Sequence, residues 1–296
     1  YWASAEGTVG AISREGDALW TRSTANGANE NSMPVPSGDL LFFSGGEEFL
    51  ILSAGSGEVR SREDLSGGRS HVFGRVVTTL PEGYVFPTND TLELVLSGEA
   101  RSVPLTNGST MSASYRDGML YLADNQGVFL EVSVEGGEIL REISTDAVQP
   151  VAHAPALLND TAYFAGRRGT LVALDLANGS VRWSRSLGEG VFQQPLLSET
   201  GVYVFAGEEI YALSHGGEEL FAPLPDAAGA PAISGNELVY PATDGTLRFV
   251  NAETGAEQAR HELPSVSRAR PIYADPLIFV ATGAGEIVAL HRAGIR

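Results

Sequence analysis

The residues able to do chemistry are few and scattered. Five histidines, His71, His153, His215, His261 and His291, are spread along the chain, and no two stand two or four positions apart. Ligand pairs on one strand or one helix face need that spacing, so the histidines build no metal centre. There is no cysteine, which removes disulfides, thiolate ligands and cysteine nucleophiles, and is compatible with an oxidising compartment. Asp124-Asn125-Gln126-Gly127 and Asp244-Gly245 resemble fragments of calcium loops. Neither runs on to the liganding glutamate of a full loop, and turn geometry accounts for Asp-Gly between strands. No glycine-rich phosphate loop, Gly-x-Ser-x-Gly elbow or His-Glu-x-x-His pair is present. The residues therefore name no catalytic group, no metal site and no bound cofactor.

Whatever site exists must be held by strands. In Gly169 to Trp183 the side chains alternate, with Leu171 and Ala173 on one face and Val172, Leu174 and Leu176 on the other. Ala177-Asn178-Gly179-Ser180 follows, and its Asn-Gly pair predicts a two-residue hairpin turn with positive φ at both residues. Trp183 closes the returning strand. The unit recurs along the whole chain, each time as a short inner strand, a very apolar strand, an alternating strand and a return. Ala123, Ala165, Ala206, Ala242 and Ala281 mark the period at 42, 41, 36 and 39 residues. About forty residues with four strands is the size of one β-propeller blade. The fold class is thus all-β, a single propeller domain over residues 1–296, with no linker and no helical periodicity.

Eight apolar and eight alternating strands are countable. An eight-bladed ring leaves the first blade without its inner strand and the last without its outer one. A seven-bladed ring would instead use Ala18 to Trp20 to complete the last blade and leave Tyr1 to Ile12 as an extra hairpin. Eight is preferred, because the first two strands are too regular for an appendage. The third repeat is the most diverged, and its Pro87 suits an edge or a bulge.

Composition narrows the partners. The net charge is −18, all 19 basic residues are arginine, and dense positive charge for nucleic acid or an anionic membrane is missing. No run of 18 apolar residues occurs. The chain opens at Tyr1, as expected if a signal or anchoring segment has been removed or if this is part of a longer chain.

Inner strands line a propeller's axis, and the segments leading into them gather at one rim. Arg75, His153, Gln193, Gln194 and Arg270 stand there and could form a polar, partly cationic cluster for an anionic or peptide ligand. Ordinary solvated rim chemistry would use the same residue types. Trp20 and Trp183, with Phe221 at the matching position, read as packing between blades, while Arg141 occupies the same place in another repeat.

Leu171-Val172-Ala173-Leu174-Asp175, Asn178-Gly179 and Trp183 resemble the PQQ-type propeller repeat, apolar-Tyr-Ala-Leu-Asp-x-x-Thr-Gly-x-x-x-Trp. Ile210 to Leu213, Asn251 to Gly255 and Ile287 to Leu290 match it in part. Trp20, Asp175, Gly179, Trp183 and Gly255 are its structural markers. The resemblance implies a propeller and two functional branches. One is the quinoprotein dehydrogenases, which hold pyrroloquinoline quinone with calcium and are usually longer. The other is the non-enzymatic BamB-like branch, lipoprotein scaffolds of outer-membrane protein assembly; related repeats also serve as ectodomain sensors. Length and missing chemistry place the chain on the non-enzymatic side, as an extracytoplasmic protein-interaction scaffold without cofactor.

Overall fold

The computed structural model describes residues 1–296 except 5–6, 25–33, 46–47, 65–76, 89, 108–112, 125, 146–152, 192 and 293–296. It holds thirty β-strands among the described residues, and none of them is part of an α-helix. They form two compact units, Tyr1–Ser144 and Thr145–Arg296, each with four antiparallel sheets whose strands neighbour one another in sequence order. No helix among the described residues is long and apolar enough to cross a membrane.

The fifth sheet shows how sequence becomes structure. Its strands are Ala156–Leu158, Thr161–Ala165, Thr170–Asp175 and Val181–Ser186. The middle two are buried on both faces, from Thr161 to Ala165 and from Leu171 to Leu174. One face packs on the sixth sheet, and burial on both faces is why these strands read as nearly unbroken apolar runs. Outer strands lose one cover and alternate: in Glu138–Ser144 every second side chain is exposed. In the second unit, Tyr163, Ala165, Leu171 and Ala173 of the fifth sheet pack with Val202, Val204 and Ala206 of the sixth. Tyr203 and Ile210 meet Leu238 and Tyr240 of the seventh sheet. Val239, Leu247 and Phe249 meet Ile278 and Val280 of the eighth. The first unit repeats the pattern, for example with Val9 against Leu41, Phe43 and Leu50.

The outer-strand markers act between sheets. Trp183 Nε1 donates to the His215 carbonyl at 2.9 Å, and its ring lies over Gly217, where a Cβ would be 2.8 Å from Cδ2. Trp20 of the first sheet does the same on the second, donating to Ala54 O at 3.0 Å above Gly57. Phe221 covers Gly255, and Arg101 covers Gly137 while donating to Glu135 O at 2.8 Å. The position therefore accepts any flat or long side chain able to cap the next sheet's turn. Arg141, at the corresponding place, instead pairs with Glu131 on its own sheet.

Two expectations change, and one open alternative closes. The turn after Asp175 is not a two-residue hairpin. Strand pairing ends at Leu174 with Val181 across a bulge, and only Gly179 has positive φ, at 76°. Asp175 is the reason: its Oδ1 accepts from Ala177 N at 2.9 Å and Asn178 N at 3.2 Å, while Asn178 Oδ1 accepts from Ser180 N at 2.8 Å. These side-chain bonds build a longer turn. Asn251 repeats it, accepting from Glu253 N and Thr254 N ahead of Gly255.

Secondly, Ala18–Ser23 pairs with Thr8–Ile12 in a three-stranded first sheet. Tyr1 to Ile12 is thus no extra hairpin, and the seven-bladed arrangement falls. The eighth sheet likewise has three described strands, Ile272–Ala274, Leu277–Ala281 and Ile287–His291. Thirdly, Pro87 ends an interior strand, Gly83–Pro87, rather than marking an edge. The inner strand pairs only as far as Val85, so Pro87 lies beyond its ladder and its missing N–H breaks nothing there. Pro241 ends the matching strand of the seventh sheet.

Candidate functional site

Four of the five rim residues lie in the second unit, and the structure links two of them directly. Arg75 lies outside the described residues. His153 precedes the fifth sheet's inner strand, Gln193 and Gln194 precede Leu196–Leu197, and Arg270 precedes Ile272–Ala274. Each approach segment is irregular backbone, so its side chains are free of the sheet alternation. Arg270 Nη2 donates to the Gln194 carbonyl at 3.1 Å, and Gln194 Nε2 donates to the Pro155 carbonyl at 2.9 Å. This chain of bonds ties the approaches of the fifth, sixth and eighth sheets together. Gln193 is half-buried beside it and has no side-chain hydrogen bond to a described residue.

His153 is 6% exposed. Its Nδ1 donates to the Ala154 carbonyl at 2.9 Å, while Nε2 is buried without a hydrogen-bond partner. Burial pushes its pKa down to about 4; the carbonyls of Ala154 and Ala165 pull the other way, and Arg270 adds a small repulsion in the same direction as burial. The imidazole is therefore neutral at pH 7, with a bare acceptor at Nε2. Arg270 is a half-buried cation with its Nε buried and unpartnered, and no carboxylate lies within ion-pair distance among the described residues. Burial lowers its pKa, as desolvating a cation must.

The cluster is thus a guanidinium, a neutral imidazole acceptor and amides. A hard cation such as calcium requires several oxygen ligands and favours carboxylates, so these groups do not fit a calcium-held quinone. Among the described residues, no three His, Asp or Glu side chains gather as a metal site. The two calcium-like fragments are turns. Asp124 Oδ1 accepts from Gln126 N at 2.8 Å and Val128 N at 2.9 Å. Asp244 accepts from Thr246 N and Oγ1 and pairs with Arg248 at 2.9 Å, bonds that bring its pKa down to about 2. Asn125 and His71 lie outside the described residues. His215 stands in the turn after the sixth sheet's third strand and is half-buried, with Nε2 donating to Ser198 O at 3.0 Å and Nδ1 3.2 Å from the Tyr163 hydroxyl.

A half-buried cation without a counter-ion among the described residues is a cost to folding. Replacing Arg270 by methionine is therefore expected to leave unfolding stability unchanged or raise it by about 1 kcal/mol, as read by urea denaturation. A loss of more than about 1 kcal/mol would show that the bond to Gln194 makes it a structural strut.

Sequence reasoning passed over a second feature of this unit. Arg268 stands two residues before Arg270 and lines a separate cleft of about 480 Å³ with Thr243 and Thr282. The only signal for it was the pair of arginines two positions apart, and the partners that form the cleft come from elsewhere in the chain.

Comparison with known proteins agrees with this geometry. The sequence model of the family described as outer membrane protein assembly factor BamB matches residues 5–188 and 135–294. The outer membrane protein assembly factor BamB of Moranella endobia is 22% identical over 216 residues, covering 68% of this chain and 54% of that protein. Its namesake from Escherichia coli K12 is 25% identical over 153 residues, or 50% of this chain and 38% of that protein. The matches thus span about half or less of these relatives' lengths. Among solved structures, BamB from Moraxella catarrhalis superposes with a TM-score of 0.77 at 12% identity, over 98% of this chain and 92% of that one. The computationally designed Ika8 protein gives 0.80 at 16% identity, over the same shares. The eight sheets are the blades of an eight-bladed β-propeller, and the chain belongs to the outer membrane protein assembly factor BamB family.

Proposed function

We propose that this chain is a non-catalytic, extracytoplasmic scaffold that binds protein partners during outer-membrane protein assembly. The family match over almost the whole chain carries the reading. The second unit supports it in its own terms. Among the described residues its rim cluster offers fixed donors, amide carbonyls and a neutral imidazole acceptor, an arrangement that suits recognition better than turnover. The charge of −18 directs the scaffold away from anionic lipid and nucleic acid and toward protein surfaces.

The test is cross-linking of the tagged chain in envelopes of its native bacterium, followed by mass spectrometry of the captured proteins. Components of the β-barrel assembly machinery are the expected partners. Their absence, or alcohol oxidation by the purified chain supplied with quinone, calcium and a dye acceptor, would overturn the proposal.

A further inference from the structure

The cleft around Arg268 combines features that point to one kind of ligand. Thr243, Val266, Arg268, Thr282, Gly283 and Ala228 line it, between the seventh and eighth sheets of the second unit. Among the described residues no acidic side chain lines it, although the chain carries 37. Arg268 is exposed and has no ion pair among the described residues. Thr282 is only 8% exposed, and its Oγ1 is buried with no hydrogen-bond partner. Native structures seldom leave such a hydroxyl unsatisfied. Val266 adds an exposed apolar surface, at 39%.

The walls are fixed in advance. Ser267 is fully buried, donating from Oγ to Ala281 O at 2.6 Å and accepting from Ala269 N at 3.2 Å. Gly283 N donates to Val266 O at 2.9 Å, and Ala284 N donates to Ser265 Oγ at 3.0 Å. Across the cleft, a Cβ on Gly229 would come within 2.5 Å of the Arg268 carbonyl, so the two segments touch backbone to backbone. Arg268 therefore projects from a segment held on both sides, and its binding requires little ordering.

We infer that this cleft binds the side-chain carboxylate of a glutamate or aspartate in an extended, otherwise apolar segment of a protein partner. A guanidinium receives a carboxylate through two parallel hydrogen bonds, and rotation of the Thr282 side chain brings its buried, unpartnered hydroxyl to the cleft as a further donor. The single cation matches a monoanion. A phosphate would meet too little positive charge in a chain this acidic. The methyl groups of Ala228 and Val266 accommodate the apolar neighbours of the acid. This deepens the scaffold reading by naming what one of its surfaces recognises. Peptide binding by the purified chain and recovery of assembly components from envelopes can fail independently.

The experiment is fluorescence anisotropy with a labelled, N-acetylated and C-amidated heptapeptide, Ser-Leu-Val-Glu-Val-Leu-Ser. Saturable binding that weakens with added salt is expected. Exchange of the peptide's glutamate for glutamine should weaken it about tenfold, and so should R268Q in the protein. T282V should weaken it about threefold. Arg268 is exposed, so R268Q keeps the fold, which circular dichroism checks. Equal binding of the glutamine peptide, undiminished binding by R268Q, or no saturable binding would each overturn the proposal. Competition by inorganic phosphate at concentrations where acetate has no effect would overturn the choice of carboxylate.

Discussion

Replacing Gly217 by valine is expected to destabilise the chain by about 4 kcal/mol, through two separable effects. Gly217 sits at φ 91°, where its N–H donates to Ser214 O at 3.0 Å, and a β-branched residue is strained there whatever the space. The second effect is steric. A Cβ would stand 2.8 Å from Trp183 Cδ2 and 3.0 Å from Cγ, so the indole must lift away from the turn. That also breaks its bond to the His215 carbonyl and disturbs its contact with Tyr163, whose ring centre is 6.0 Å away. Gly235 provides the control. It has φ 60° with nothing within 4 Å of its added Cβ, so Gly235→Ala costs only the backbone term of about 1 kcal/mol. Gly217→Ala should cost about 2 to 3 kcal/mol. In a Trp183→Ala background that excess should vanish, since the ring that causes it is gone. Equal costs for the two alanine variants in urea denaturation would mean that the indole does not seal the blade junction.

That junction shows which parts of the molecule were legible beforehand. Alternation and the forty-residue period are local and repeated, so strands, sheets and the blade count could be read from residues such as Leu171 to Asp175 and from the spaced alanines. The role of Trp183 was legible for the same reason, being a large ring at one recurring position. The turn after Asp175 was misread because Asn-Gly outweighed the carboxylate three residues earlier. An aspartate that bonds two successive N–H groups sets the turn length before the glycine does. The rim residues were placed by topology alone. What the sequence withheld was their state. Nothing local to His153 tells that Nε2 is buried and unpaired, or that Arg270, more than a hundred residues away, hydrogen-bonds to Gln194. The cleft of Arg268 was illegible for a similar reason, since a missing hydrogen-bond partner for Thr282 is a property of the packed neighbourhood.

Lowering the pH from 7 to 4 is expected to remove about 3 kcal/mol of stability through His153. In the folded chain burial holds its pKa at about 4, against 6.5 for an ordinary histidine. Between those values the unfolded chain binds the proton and the folded chain does not. Stability therefore rises with pH across that window: it is fully present above pH 6.5 and lost as the pH falls towards 4. Asp244, with its pKa at about 2, is depressed from a carboxylate value and contributes its loss below about pH 4, in a separate range. Urea midpoints measured from pH 7 to 4 should thus fall steeply for the native chain, and His153→Gln should flatten that fall. Proton NMR of the His153 ring gives the direct measure, and a midpoint near 6.5 would refute the assignment. The consequence reaches the rim cluster. Among its described residues, at neutral pH, it presents one cation, Arg270, beside an uncharged acceptor. Protonating His153 would put two positive charges in one partly desolvated place, with no carboxylate among the described residues in ion-pair contact with Arg270 to offset them. Acid should therefore loosen the approaches of the fifth, sixth and eighth sheets first, visible as faster hydrogen exchange at residues 153–156, 193–197 and 270–274 before the apolar strands respond.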